Sequence, residues 1–446
     1  MLRREITKLG SYATLVGMMV GAGIFVAIGE AGKDAGPSTW LAYLLLGPVT
    51  LLAVLPYILF QGTSLGNKPG GGYLHISRTF KNKFLGFIVM WLAWVTYVGV
   101  LATLAVSSGR YLSVFMDGID PRLIGTVCLL IFFIINLVGV KYFDRIQSGM
   151  FIVLLVSVAL VVVPGFFFID RSNFTPLMPN GVDGFLKALP ILFLAYGGFD
   201  ALSQTGGEVE NPQAQLPRVF FWGVVITMVL YVSISLITFG VIPFARLAAS
   251  TTPVADAATT YLPYGAYIVS IGALMAFFTT INACMLVPSR LLFAFAEDRV
   301  IPPSLARLNR RFNTPHLSLI VNAAVAIALV WTKSIGMLIS IAMQATIIMY
   351  IVECIAMAAL PYVNKSLWSE VRMKIAPPVV TLAGVVAAVL LFILYMHLPN
   401  PLNPLLIGWA LFGAAIFGYE RLVQNRRSTR ALIADMEGMT PLQEEG

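Results

Sequence analysis

The sequence predicts an all-α membrane protein with twelve transmembrane helices, on three observations. Hydrophobic residues fill 58% of the 446 positions and charged residues only 11%, where soluble domains run near about 45–50% and about 25%. Apolar stretches of bilayer length, about 20 residues each, recur along the whole chain and leave room only for short loops. Lysine and arginine fall mostly in alternate connections between these stretches. A mean hydropathy of +0.86 excludes an ordinary soluble enzyme, a disordered chain and a nucleic-acid-binding protein. The net charge of +8 reads as the basic bias of cytoplasmic loops rather than as a polyanion site.

The expected spans are residues 11–31, 38–60, 84–110, 122–140, 146–168, 185–206, 218–242, 265–294, 315–332, 335–360, 376–396 and 402–422. With the N-terminus inside, 22 of the 29 Lys and Arg residues face the cytoplasm and seven face out. That asymmetry predicts both termini inside, in the cell membrane. The longest outer loop, 243–264, is expected to pack as a lid over the outer face. The basic loop at 295–314 is expected at the membrane interface. The organisation predicted is a transport core over 1–360, peripheral helices over 361–423 and a charged, disordered tail over 424–446. Cys128, Cys284 and Cys354 lie in apolar runs and match no metal or disulfide pattern. His75, His316 and His397 are scattered, and no P-loop, G-x-S-x-G or H-E-x-x-H sequence occurs. No cofactor and no enzymatic activity are expected.

Two spans are interrupted near their middle. The first reads Gly17-Met18-Met19-Val20-Gly21-Ala22-Gly23-Ile24-Phe25, and the sixth Phe193-Leu194-Ala195-Tyr196-Gly197-Gly198-Phe199-Asp200. Each glycine inside a helix costs about 1 kcal/mol relative to alanine, so unwinding is cheap at both places. Unwound backbone survives at membrane depth where it lines a cavity or is buried in protein. Matching Gly-interrupted segments in two halves of a chain point to a transporter binding site. Half-helix N-termini offer N–H groups to an anion, and unwound carbonyls offer acceptors to an ammonium. Both together suit a zwitterion. Close helix packing is the alternative use of such glycines, and Gly17 to Gly21 is itself a G-x-x-x-G.

These residues resemble the amino acid–polyamine–organocation (APC) superfamily. Gly21 to Phe25 is similar to its GSGIF signature, and Pro69-Gly70-Gly71-Gly72-Tyr73 to its Gly-Gly-x-Tyr. Asn136 to Lys141 with Gln147, the block from Phe193 to Arg218, and Ser289 to Pro302 follow in the family's order. The resemblance implies a five-plus-five inverted repeat of the bacterial leucine-transporter type, with helices 1 and 6 discontinuous and two peripheral helices. It implies alternating access, with substrate held between helices 1 and 6. N–H groups around Gly21, Ala22, Gly23 and Ile24 would take a carboxylate. The carbonyls of Met19, Phe193, Tyr196 and Gly197 would take an amine, and Phe193, Tyr196 or Phe199 would line or gate the pocket. Ala22 replaces a frequent serine, Gln61 stands near a frequent Glu, and Leu154 stands where several members carry a lysine that is tied to coupling. Where some relatives join an ancillary chain through a cysteine after helix 3, this sequence has none, so no such covalent partner is expected.

Two intramembrane acids are coupling candidates. Asp200 follows the second interruption, as a proton sensor or as an anchor for the broken segment. Glu353 lies in the tenth span without an evident paired base. With the lysine position apolar, a sodium-like site of Gly17 and Val20 carbonyls with Thr279 and Thr280 hydroxyls is conceivable, against the habit of such hydroxyls to bond back into their own helix. The function expected is a secondary active transporter of a small, neutral amino acid, driven by protons more than sodium or working by exchange. The alternative is an amine, polyamine or cationic amino acid antiporter in the same fold.

Overall fold

The computed structural model describes residues 2–21, 23–113, 118–250, 252–332, 335–398 and 403–438. Among them the chain is helical, and one isolated parallel bridge joins Ile6 to Val209. Helix α1 (Lys8–Val20) starts on Thr7, whose hydroxyl accepts from the Gly10 N–H. A π-type turn (Gly23–Ala27) follows, and α2 (Ile28–Ala35) completes the first span. Next come α3 (Thr39–Gln61), the short α4 (Gly71–Thr79) and the 31-residue α5 (Lys83–Ser113). Pro121 opens α6 (Pro121–Val138) behind an Asp120 cap, where its missing N–H costs nothing. Helix α7 runs Val140–Gly165 and α8 Gly181–Ala195. A 3-10 run, Phe199–Glu208, separates α8 from α9 (Pro212–Val241).

The loop expected as a lid contains α10 (Phe244–Leu247) and α11 (Pro253–Thr259). Helix α11 packs on α12 (Gly265–Glu297), α9 and α2, over the second half of the divided first span. Then follow α13 (His316–Val330), α14 (Ile335–Val363), α15 (Lys365–Ser369), α16 (Pro377–Met396) and α17 (Pro404–Gly438). Helix α17 outruns the span expected to end at 422, so residues 424–438 continue a helix where a disordered tail was expected. Residues 439–446 lie outside the described ones.

Among the described residues ten helical stretches are long and apolar enough to cross a membrane, and α13, with 15 residues, is shorter. Helix α1 packs against α7, α9, α12 and the 3-10 run, while α12 also packs against α5 and α7. The most apolar windows of α5 and α12 are 67% buried, whereas those of α16 and α17 are 22% and 17% buried. The interrupted helices therefore sit inside a wall of longer ones, and α16 and α17 present large apolar side chains such as Leu382 and Leu411 outward. That surface suits lipid, where no water is available to satisfy irregular backbone.

Candidate functional site

Helix α1 ends where the Gly21 N–H bonds the Gly17 carbonyl at 3.0 Å. Beyond it the chain turns against α8. A Cβ at Gly23 would lie 2.6 Å from Tyr231 Oη and 2.9 Å from Ala195 Cβ, so only glycine fits there. The freed Met19 carbonyl accepts from the Tyr231 hydroxyl at 2.6 Å, and the same oxygen lies 2.7 Å from the Ala195 carbonyl. One phenol on α9 thus joins the ends of both broken helices. Its ring packs on Tyr43 and Tyr196 at centroid distances of 4.7 and 5.0 Å. Tyr196 donates to the Tyr43 carbonyl at 2.9 Å, and Tyr43 Oη is 3.4 Å from the Gly23 carbonyl. Ile24 is buried. Ala22 lies outside the described residues.

At the second break, Tyr196 and Gly197 N–H groups bond the Phe193 and Leu194 carbonyls at 3.0 and 2.9 Å. The Phe193 carbonyl, expected to receive an amine, is therefore already used, as is that of Met19. Among the described residues no hydrogen bond reaches the carbonyls of Tyr196 and Gly197. Gly198 has φ +95°, which an L side chain adopts at a cost, and a Cβ there would meet the Met18 carbonyl at 3.3 Å. The two breaks are thus in direct contact. The 3-10 run that follows has ten residues, long for a geometry that rarely exceeds three or four and often marks a hinge.

Asp200 is clamped rather than free. Tyr350 donates to its Oδ1 at 2.7 Å and Tyr97 donates to its Oδ2. The Gly198 N–H in turn donates to Tyr350 Oη at 2.9 Å. Phe199 stacks on Tyr350 at 4.4 Å. All of these side chains are buried.

Glu353 has a base after all. His75, expected in a loop or at a span end, is buried on α4 with Nδ1 3.2 Å from Glu353 Oε2. Tyr350 precedes Glu353 by one turn, so one helix face links both acids.

Of the conceivable sodium-like site, Gly17 meets Thr279 and Thr280, but the hydroxyls face carbonyls. Thr279 Oγ1 bonds back to Ala276 O at 2.8 Å, and Thr280 Oγ1 reaches Gly17 O at 3.0 Å and Ala276 O at 3.1 Å. Val20 is buried in the last turn of α1. The Gln147 amide spans Ala13 O and Thr279 O at 3.2 and 3.1 Å and accepts from Asn282 at 2.8 Å. A neutral amide thus links α7 to α1 and α12, while Leu154 is fully buried and apolar. Among the described residues no three His, Cys, Asp or Glu side chains gather as a metal site.

Toward the other end of these helices the polar contacts become ionic. Arg290 on α12 forks onto Glu208 at 2.7 and 2.8 Å, both side chains fully buried. The Glu208 carbonyl accepts from Glu5 and Ile6 N–H groups at 2.9 Å. Arg78 grips both Asp298 oxygens at 2.7 and 2.9 Å, and Tyr73 donates to one of them at 2.7 Å. Partial burial raises the Asp298 pKa, but the Arg78 and Tyr73 hydrogen bonds and nearby Lys83 outweigh it and hold the carboxyl below its usual range.

Tyr43, Tyr97 and Tyr231 were not anticipated. Their signal was a hydroxyl-bearing ring in an apolar helix, which needs a partner when buried.

A bundle of this length and apolarity, with two interrupted helices touching at its centre, defines a multi-pass membrane protein of the permease kind. The amino acid permease family matches residues 6–417, and the chain belongs to it; the resemblance to the APC superfamily holds. The chain is 26% identical to the methylthioribose transporter of Bacillus subtilis, over 93% of this chain and 91% of that one. It is 26% identical to the serine/threonine exchanger SteT of the same organism, over 86% and 90%. It is also 26% identical to the B. subtilis branched-chain amino acid permease BcaP, over 71% and 72%.

Proposed function

We propose that this chain carries a small, neutral amino acid across the cytoplasmic membrane by alternating access. The helices would make twelve passes, counting the divided first span and the short α13, with both termini inside and the first ten spans forming the inverted repeat. The observation that carries the reading is the contact between the two breaks, where Gly23 packs on Ala195 and Gly198 on Met18, beside the carbonyls of Tyr196 and Gly197, which have no partner among the described residues. Those carbonyls are the acceptors for a substrate ammonium, and N–H groups around Ala22, Gly23 and Ile24 are the donors for its carboxylate, the Gly21 N–H being bonded to the Gly17 carbonyl. Tyr231 holds the Met19 and Ala195 carbonyls when substrate does not.

The clamping of Asp200 supports a neutral substrate, since both its oxygens are taken by phenols. A cationic side chain would have to displace two hydrogen bonds to a charged acceptor, each worth about 1.5–3 kcal/mol. The hydroxyls of Thr279 and Thr280, turned to carbonyls, favour protons or exchange over sodium. The likeness to a protein named for methylthioribose places that compound on the substrate panel.

Counterflow in proteoliposomes tests this reading. Separate batches are preloaded with each common amino acid, several amines and methylthioribose, and entry of the matching labelled compound is followed without an ion gradient. Transient accumulation of one or a few neutral amino acids is expected. Accumulation of amines alone would replace the reading with an antiporter, and silence throughout would refute it.

A further inference from the structure

We propose that Gln61, His75 and Glu353 form a proton-binding site, and that the backbone carbonyl of Ser203, in the run after the second break, reads whether the proton is bound. The proposal rests on the transport reading above. His75 and Glu353 have no exposed surface. Phe60 stacks on the imidazole at 4.6 Å, and Tyr57 meets it edge-on at 5.7 Å. Gln61 Nε2 lies 3.2 Å from His75 Nε2 and 3.3 Å from Ser203 O. Among the described residues, Glu353 Oε1 and Gln61 Oε1 are buried without partners. The titratable groups facing the pair are Tyr57 from α3, Asp200 from the 3-10 run, Tyr350 and Cys354 from α14, and Tyr97 from α5 through Asp200. His75 is the one basic group among the described residues that acts on Glu353.

The proton inventory follows from Gln61. Ser203 O can only accept, so the Gln61 NH2 faces it. The same NH2 faces His75 Nε2, which must then be the unprotonated nitrogen. Nδ1 carries the hydrogen and donates it to Glu353, and with Glu353 ionised the pair holds one negative charge. An added proton has two places to go. On Glu353 Oε1 it would be a buried donor without an acceptor, which costs about 1–3 kcal/mol. On His75 Nε2 it would face the Gln61 NH2, donor against donor, until the amide turns over. Turning brings the unpartnered Oε1 onto the new N–H and takes the NH2 off Ser203 to a place where no partner is seen among the described residues. It also sets two acceptors, Gln61 Oε1 and Ser203 O, against each other, so the backbone at Ser203 is pushed away. Proton uptake therefore cuts the tie from α3 to the 3-10 run. Ser203 Oγ donates to the Asp200 carbonyl at 2.6 Å, so the cut falls beside the clamp that sets the second break.

The test uses the full chain in proteoliposomes, with whichever labelled amino acid gives counterflow in the panel above. With one proton per substrate, an imposed gradient of about one pH unit, acid outside, supports up to about tenfold accumulation. In Glu353→Gln the accumulation ratio is expected to fall to about one, while gradient-free counterflow stays within about tenfold of the unmodified chain. Loss of counterflow in the unmodified chain would refute the transport reading instead. Gradient-driven accumulation that survives in Glu353→Gln, or is absent from the unmodified chain, overturns the proton site.

A second measurement needs no substrate and no foldable Glu353 variant. With three histidines in the chain, ¹⁵N-histidine magnetic resonance in lipid, assigned with His75→Asn, reads the His75 tautomer. A neutral Nδ1–H form at neutral pH that gains a proton on Nε2 in acid is expected. A neutral Nε2–H form, or no titration over the folded range, overturns the proposal.

Discussion

At the first break the backbone is served from outside: Tyr231 on α9 reaches the Met19 carbonyl and Thr280 on α12 reaches that of Gly17. At the second break the chain brings its own acid, and Asp200 gathers Tyr97 and Tyr350 around Gly198. Both breaks are thus held by hydrogen bonds, the first by hydroxyls from other helices and the second through an acid of its own segment, and the first is also limited by space at Gly23. Substitution of Gly23 should act through sterics, and substitution of the phenols through loss of specific partners.

The largest expected effect lies at the far end of the second break's 3-10 run. Arg290→Met leaves Glu208 buried without its partner, and breaking a buried pair from one side costs about 3–5 kcal/mol. A strongly lowered Tm in detergent is expected; Arg290→Met with Glu208→Met should recover much of it. An unchanged Tm in the single variant would contradict the anchoring role.

Next come the phenols of the clamp. Tyr350→Phe loses contacts to both Asp200 and Gly198, whereas Tyr97→Phe loses one to Asp200. At about 1.5–3 kcal/mol per bond to a charged group, Tyr350→Phe should destabilise more than Tyr97→Phe. Chemical unfolding of both reads the order, and the reverse order would break the account of the second break.

Tyr231→Phe probes the first break. It strips the partner from the Met19 and Ala195 carbonyls without changing ring volume. A loss of about 1–3 kcal/mol is expected. Because those carbonyls also become available to an ammonium, the substrate KM should fall or hold while kcat drops. A rise in KM alone would assign Tyr231 to direct substrate contact instead.

The smallest effect is outside the membrane and depends on pH. Asp298 is held below the usual carboxylate range, so its tie to Arg78 and Tyr73 stabilises the protein above the ordinary carboxylate pKa. That contribution is lost as pH falls through the lowered folded value. Asp298→Asn should therefore lower Tm at neutral pH, and the gap to the unmodified chain should close in acid. A gap that widens on acidification would reverse the sign of the argument.

Hydropathy made most of the fold legible, because a helix in lipid must satisfy its own backbone. The expected spans 38–60, 265–294 and 376–396 agree with α3, α12 and α16 within a few residues. The glycine clusters located both breaks, since glycine weakens a helix wherever it lies. The partners of the breaks were hidden, because Tyr43, Tyr97 and Tyr231 come from three other helices and no local pattern couples them to Met19 or Asp200. His75 was misplaced for the same reason. It sits just after Gly70-Gly71-Gly72, which reads as a loop, but α4 starts at Gly71 and carries it inward to Glu353. The length of α17 was missed because charge ends a hydropathy span before it ends a helix.

The central claim is that substrate is held where the two breaks touch, and glycine size tests it most directly. Counterflow of a labelled neutral amino acid is measured for the unmodified chain, Gly23→Ala and Gly29→Ala in proteoliposomes. A Cβ at Gly29 would sit in ordinary contact, 3.5 Å from Pro253, whereas one at Gly23 would press on Tyr231 and Ala195. The account predicts counterflow by Gly29→Ala close to that of the unmodified chain, and none by Gly23→Ala that elutes as folded protein. Undiminished counterflow by Gly23→Ala would contradict it.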